Sequence, residues 1–304
     1  MDWIKMKKML ELNNYYKLLI CFFVAAIFLT ACEREITIDL PEAPEKLVVD
    51  GYIYEGAAPV VVLTRNQAFY GDLSFADTEG LFASGAKIFV TSKGQEYELS
   101  EISFPIDSFD VVFYTDFSGA ILGERETCYD LRIEYEEKIY TSTTYIPNIL
   151  PMDSIWSEAS VVADRDNLAR VKVTFSDPDT LGNYYRYFTK RNSEPVYPGL
   201  GSVFDDQVIN GESFPAQFDR GYDRNSEIDF TYYGYFDQGD TVTVRLCGID
   251  EAHYTFWQTM EAGANRGGPF APLTLVDSNI EGENVLGVWG GYSIEERSLI
   301  VPFE

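Results

Sequence analysis

From Lys46 onward the apolar residues of this chain recur at the two-residue period of a pleated strand, in short runs broken by turns, and take up a helical period only once, near residue 251. Such patterning confines the fold to a mainly β architecture. Lys46 to Tyr54 is the first strand. Val60 to Thr64 follows it, and the continuous Val60-Val61-Val62-Leu63 run is that of a buried strand. Residues 65–84 have no period and read as a long loop. Ala86 to Thr91 and Glu96 to Leu99 flank a glycine-containing hairpin turn, and Val111 to Tyr114 is a further strand. Cys128 to Tyr135 and Ile139 to Thr144 pair across Glu136-Glu137-Lys138. Many short strands and no helix predict a β-sandwich of immunoglobulin-like type over residues 46–146.

Pro147 and Pro151 bracket a boundary, and a second sandwich is expected over residues 152–304. Ala169 to Phe175 alternates and ends in the turn Ser176-Asp177-Pro178-Asp179; Asn183 to Thr189 returns. Residues 190–228, rich in Gly, Pro, Asn and Asp, read as a long connection before strands at Ile228 to Phe236 and Thr241 to Ile249. The one helix spans residues 251–265 with Asp250 as N-cap. His253, Phe256, Trp257, Met260 and Ala264 form its apolar stripe. Val285 to Ser293 and Arg297 to Val301 are closing strands.

Ahead of all this lies the only strongly hydrophobic run, Leu18 to Ala31. At 14 residues it is shorter than the roughly 20 a membrane span requires. Lys5, Lys7, Lys8 and Lys17 precede or open it, and it ends in Leu29-Thr30-Ala31-Cys32. A branched apolar residue, two small residues and a cysteine make a lipobox, so residues 1–31 read as a lipoprotein signal peptide cleaved after Ala31. Cys32 is then the lipidated residue. Residues 32–45, with Pro41 and Pro44, form a tether.

Cleavage would leave 273 of the 304 residues, with 19 basic against 47 acidic side chains and a formal charge of −28, because the removed stretch carries four Lys, Asp2 and Glu11. Such a field repels polyanions and gives no footprint for nucleic acid. Attachment to lipid should rest on the acyl chains of Cys32 alone. Glu33 and Glu35, interrupted by Arg34, directly follow the lipidated cysteine. Of the two remaining cysteines, Cys128 and Cys247 both fall on the polar parity of their strands. A bridge would have to join two domains, so two separate thiols are expected.

Catalytic signatures are absent from the sequence. With His253 as the single histidine, every two-histidine metal motif is excluded, and there is no G-x-S-x-G, P-loop or dinucleotide fingerprint. A histidine on an apolar stripe reads as core. Asp177, Asp179 and Asn183, with Asp205, Asp206, Asp219 and Asp223, carry oxygens suited to calcium, but without EF-hand spacing; Asp-Pro-Asp reads better as a turn. No catalytic, metal or cofactor residue is assigned. Tyr184-Tyr185-Arg186-Tyr187-Phe188 and Tyr232-Tyr233-Gly234-Tyr235-Phe236 are near copies, read as packing aromatics with a ligand or partner surface as the alternative.

The lipobox cysteine, the strand Lys46 to Ile53, Gly85-Ala86-Lys87-Ile88-Phe89-Val90 and Cys128 to Ile133 followed by Tyr140-Thr141-Ser142 together resemble the first half of the Bacteroidota outer-membrane lipoproteins classed as domain-of-unknown-function family 4249. Asp177-Pro178 with Asn183-Tyr184-Tyr185, Tyr254-Thr255-Phe256-Trp257, and Ser278 to Gly282 with Leu286-Gly287-Val288-Trp289 extend the resemblance over nearly all of the chain after Cys32. It implies an outer-membrane lipoprotein associated with a TonB-dependent transporter, and no catalytic residue; in such lipoproteins acidic residues after the cysteine, here Glu33 and Glu35 around Arg34, imply the cell surface over the periplasmic face. The expected function is therefore a non-enzymatic accessory or ligand-capture partner of such a transporter, its ligand undetermined. A surface hydrolase of glycans or peptides and an adhesive surface module are the alternatives.

Overall fold

The computed structural model describes residues 16–17, 45–66, 81–106, 109–207, 210–264 and 275–303. Cys32, Ala31 and nearly all of the signal and tether therefore lie outside the described residues, as does most of the 65–84 loop. Among the described residues no helix is long and apolar enough to cross a membrane.

Among the same residues, fifteen strands and one helix follow Lys46: β1 (Leu47–Tyr54), β2 (Val60–Arg65), β3 (Lys87–Ser92), β4 (Gln95–Ile106), β5 (Phe109–Thr115), β6 (Thr127–Tyr135), β7 (Lys138–Ile146), β8 (Met152–Val162), β9 (Arg165–Ser176), β10 (Tyr184–Arg191), β11 (Tyr197–Asp205), β12 (Ser213–Phe218), β13 (Phe236–Asp237), β14 (Thr241–Ile249), α1 (Glu251–Ala264) and β15 (Val285–Ile300). The protein is mainly β and sandwich-like, with the helix near its C-terminus. Turn chemistry is legible where it is tightest. Lys93 and Gly94, and likewise Glu136 and Glu137, all have positive φ, the conformation that matches a two-residue turn to the right-handed twist of its strands.

An eleven-stranded ladder runs β11-β10-β14-β15-β1-β2-β5-β4-β3-β6-β7, and a smaller sheet contains β12-β9-β13 with β8 paired to β9. Two strands in the long ladder belong to two layers each. In β4, residues Gln95 to Leu99 pair with β3, whereas Ser100 to Ile106 pair with β5. In β15, Val285 to Tyr292 lie parallel to β1 and Ser293 to Ile300 antiparallel to β14. A strand that changes partner along its length turns the corner between layers. The expected pair Val285 to Ser293 and Arg297 to Val301 is thus a single strand.

Two cores result. The first gathers Ile53, Leu63, Ile88, Tyr114, Tyr129, Leu131 and Ile146, but also Ile280 and Trp289 from the far end of the chain. The second holds Met152, Val171, Val173, Phe175, Tyr185, Tyr187, Val242, Val244 and Leu246. Residues Pro44–Glu304 nevertheless make up one compact unit. Ile280 and Trp289 lie beyond Pro147 and Pro151 yet belong to the first core, and β15 links β1 to β14 within the long ladder.

Several expectations need correction. Met152–Val162 is a strand without an apolar alternation because it lies at a sheet edge, paired only with β9, and only Met152 in it is buried. Residues 190–228 contain β11 and β12, and Ile228 to Tyr235 is turn rather than strand: Asp229 Oδ1 accepts the Thr231 N–H at 2.9 Å and Asp229 O the Tyr232 N–H at 3.1 Å, which closes the backbone on itself. Cys247 lies on the parity expected to be polar yet is buried, since that face of β14, which also carries Ile249, packs against Tyr254 and Tyr292. Both thiols are free, Cys128 exposed and Cys247 buried.

On α1 the cap is as expected, with the His253 N–H donating to Asp250 Oδ1 at 2.8 Å. The buried face is not the expected stripe. His253, Tyr254, Phe256 and Glu261 are buried, Trp257 is half-buried, and Met260 and Ala264 are exposed. A buried glutamate accounts for the rotation: Glu261 accepts the Ser202 N–H at 2.7 Å and the Ser202 hydroxyl at 2.5 Å.

A tyrosine-lined candidate ligand cleft

The connection from β10 to β14, which the sequence marks only as long and rich in turn residues, builds a hollow with aromatic walls. After β12, residues 219–235 fold back over the start of β11. Thr189 on β10 anchors them, its hydroxyl accepting the Gly221 N–H at 2.6 Å, while the Tyr222 N–H donates to Pro198 O at 3.3 Å. The approach requires glycine at 221: a Cβ there would stand 2.1 Å from Tyr197 O. Two short turns then brace the rim, Asp223 Oδ1 accepting the Asn225 N–H and Asp229 Oδ1 the Thr231 N–H, each at 2.9 Å.

The result is a cleft of about 450 Å³ whose walls include Tyr197, Tyr222, Tyr232 and Tyr233. All four are half-buried. Tyr222 and Tyr233 meet edge to face, centroids 6.1 Å apart at 87°. Two of the rings are fixed from outside the cleft. Tyr233 Oη accepts the Leu200 N–H at 2.7 Å, and Tyr232 Oη donates to Asp164 Oδ1 at 2.6 Å. Burial pushes the Tyr233 phenol up to about 12, and nearby Asp219 adds to this, so the ring carries its proton throughout the physiological range. The hydrogen bond to Asp164 raises Tyr232 as well. Arg220 reaches Glu194 at 3.1 and 3.3 Å, and Glu194 is also held by Arg191 at 2.9 Å.

A second, shallower hollow beside the N-terminus of α1 is larger, about 580 Å³. Of its three carboxylates, Asp250, Glu251 and Asp277, Asp250 is already committed to the His253 N–H, the Tyr145 N–H at 2.9 Å and the Thr144 hydroxyl. Its role is to fasten the helix to β7.

The other residues singled out by sequence are occupied structurally. His253 is buried, edge-on to Tyr292 at 4.5 Å, with Nδ1 unpartnered among the described residues; burial lowers its pKa to about 3, helped by the charge of Arg186. Asp177 accepts the Tyr185 hydroxyl at 2.7 Å, Asp206 accepts the Gly182 and Asn183 N–H groups, and Asp205 the Tyr254 hydroxyl at 3.1 Å. Asp219 takes the Gln217 amide at 2.7 Å. Among the described residues no three His, Cys, Asp or Glu side chains converge to hold a metal ion. Of the two aromatic copies, Tyr184–Phe188 is strand and core, Tyr187 stacking on Phe218 at 4.5 Å, whereas Tyr232 and Tyr233 line the cleft. Sequence reasoning misses Tyr197 and Tyr222; only their shared setting in a Gly- and Asp-rich stretch marks them.

No curated protein matches the chain. The family model described as a domain of unknown function, DUF4249, matches residues 33–298, starting directly after Cys32, and the chain therefore belongs to that family.

Proposed function

We propose that this protein is a lipid-anchored, non-enzymatic ligand-capture lipoprotein of the outer membrane, acting for a TonB-dependent transporter and holding its ligand in the tyrosine-lined cleft. The carrying observation is that cleft: concave, walled by rings of which two are tied to the scaffold through their hydroxyls. The lipobox at Leu29 to Cys32 supports the anchor, and acylation there would confine the protein to a plane and raise its effective concentration beside any partner in that bilayer. The aromatic lining supports capture, since tyrosine offers a large rigid contact at low entropic cost.

The test is genetic and biochemical together. Deleting the gene should reduce uptake of one class of nutrient, and affinity purification from native outer membrane should bring down a TonB-dependent transporter. Cys32→Ala should release the protein from the membrane or leave its signal uncleaved, read by fractionation and fatty-acid labelling. Normal uptake, together with turnover of a glycan or peptide that a single Asp or Glu substitution abolishes, would replace this reading with a surface hydrolase.

A further inference from the structure

The walls of the same cleft define what kind of ligand it takes, an inference that rests on the capture reading above. Tyr222 and Tyr233 stand at 87° to each other, so they form a corner rather than the flat platform on which a sugar ring stacks. The ring whose edge points at its neighbour keeps its own faces free of that contact, and a compact cation is attracted by the negative face of such a ring. Around the corner the lining carries Asp223, Glu227 and Asp229, the last two exposed at the rim. The one cationic side chain in the lining, Arg220, is engaged with Glu194 through both carboxylate oxygens. An anionic ligand would meet Glu194, Asp223, Glu227 and Asp229, with Arg220, already paired to Glu194 through one nitrogen, as its one positive partner in the lining. A positively charged group would meet ring faces and carboxylates together, in a cleft partly withdrawn from solvent where such contacts strengthen.

We propose that the cleft recognises an alkylammonium group, the amine of a small organic cation or of a basic side chain. Titration calorimetry on the full-length protein in detergent, with trilysine, spermidine, triglutamate and maltotriose as probes, tests this. One equivalent of trilysine or spermidine should bind. The double substitution Glu227→Gln with Asp229→Asn, which keeps the size of both side chains and leaves a side-chain carbonyl at position 229 to accept the Thr231 N–H, should weaken that binding about tenfold at unchanged melting temperature. Tyr222→Leu should weaken it comparably. Because the whole chain carries a charge of −26, cation binding of several equivalents that persists in the double variant is surface attraction and overturns the proposal. So does tighter binding of maltotriose or triglutamate, or no binding of either cation. Maltotriose or triglutamate held in the cleft would leave ligand capture standing, whereas a cleft that binds none of the four probes, with normal uptake on gene deletion, removes both readings.

Discussion

A single buried cation ties the helix to the sheets. Arg186, 3% exposed on β10, lays its guanidinium 3.5 Å above the centre of the Trp257 ring and donates to Ser202 Oγ at 3.1 Å and Tyr292 Oη at 2.8 Å. Ser202 passes the interaction on by giving both its N–H and its hydroxyl to Glu261, which Arg224 also meets at 3.3 Å. Removing one member strands the others without solvent. Glu261→Ala should therefore cost about 3–5 kcal/mol by urea denaturation, and the double variant with Arg186→Met less than the sum of the two single changes. His253 supplies a pH dependence. Its folded-state pKa lies near 3 against 6.5 for the free side chain, so the unfolded chain binds a proton first. Stability contributed by neutral His253 is complete above pH 6.5 and is lost on acidification towards pH 3, by about 1.4 kcal/mol per pH unit. Burial raises Asp177, which acts with the opposite sign because the folded state then holds the proton more firmly. In a comparison of urea midpoints at pH 7 and pH 5, His253→Leu should show the smaller decline.

At the level of elements, the position of α1 depends on a glycine in its partner strand. A Cβ at Gly290 would stand 2.2 Å from His253 Cε1, so Gly290→Ala must displace the ring or the helix, costing about 1–3 kcal/mol. The loss should appear in thermal melts and as faster amide exchange in residues 251–264. Trp257→Ala should cost about 3 kcal/mol in the same melts: the ring is half-buried, below a full core indole, but it also loses the stacked Arg186. The helix and its Asp250 cap were legible in the sequence because both are local. The buried face was not, since hydropathy ranks Met260 above Glu261, and the burial of Glu261 follows from Ser202, a residue 59 positions away. Likewise β8 and β11 are invisible to periodicity. An edge strand with little buried surface has no alternation to read.

For the whole molecule, the decisive element is β15. Trp289, fully buried in the first core, donates its indole N–H to Tyr129 O at 2.9 Å and lies against Gly51, where a Cβ would stand 2.8 Å from the ring. A fragment ending at residue 151 lacks both this ring and the parallel partner of β1 along all eight residues Leu47 to Tyr54, and should be unfolded by circular dichroism and limited proteolysis. The chain by itself determined what is written in neighbouring residues: strand periods, the turns at Lys93-Gly94 and Glu136-Glu137, the helix and its cap, the mainly β class, and the family resemblance carried by motif order. Only the tertiary structure decided that the last strand pairs with both β1 and β14, that Cys247 and Glu261 are buried, and that Tyr197, Tyr222, Tyr232 and Tyr233 share one cleft. These are pairings across tens to hundreds of residues, set by which surfaces exclude water together, and hydrophobic period carries no record of the partner it will meet.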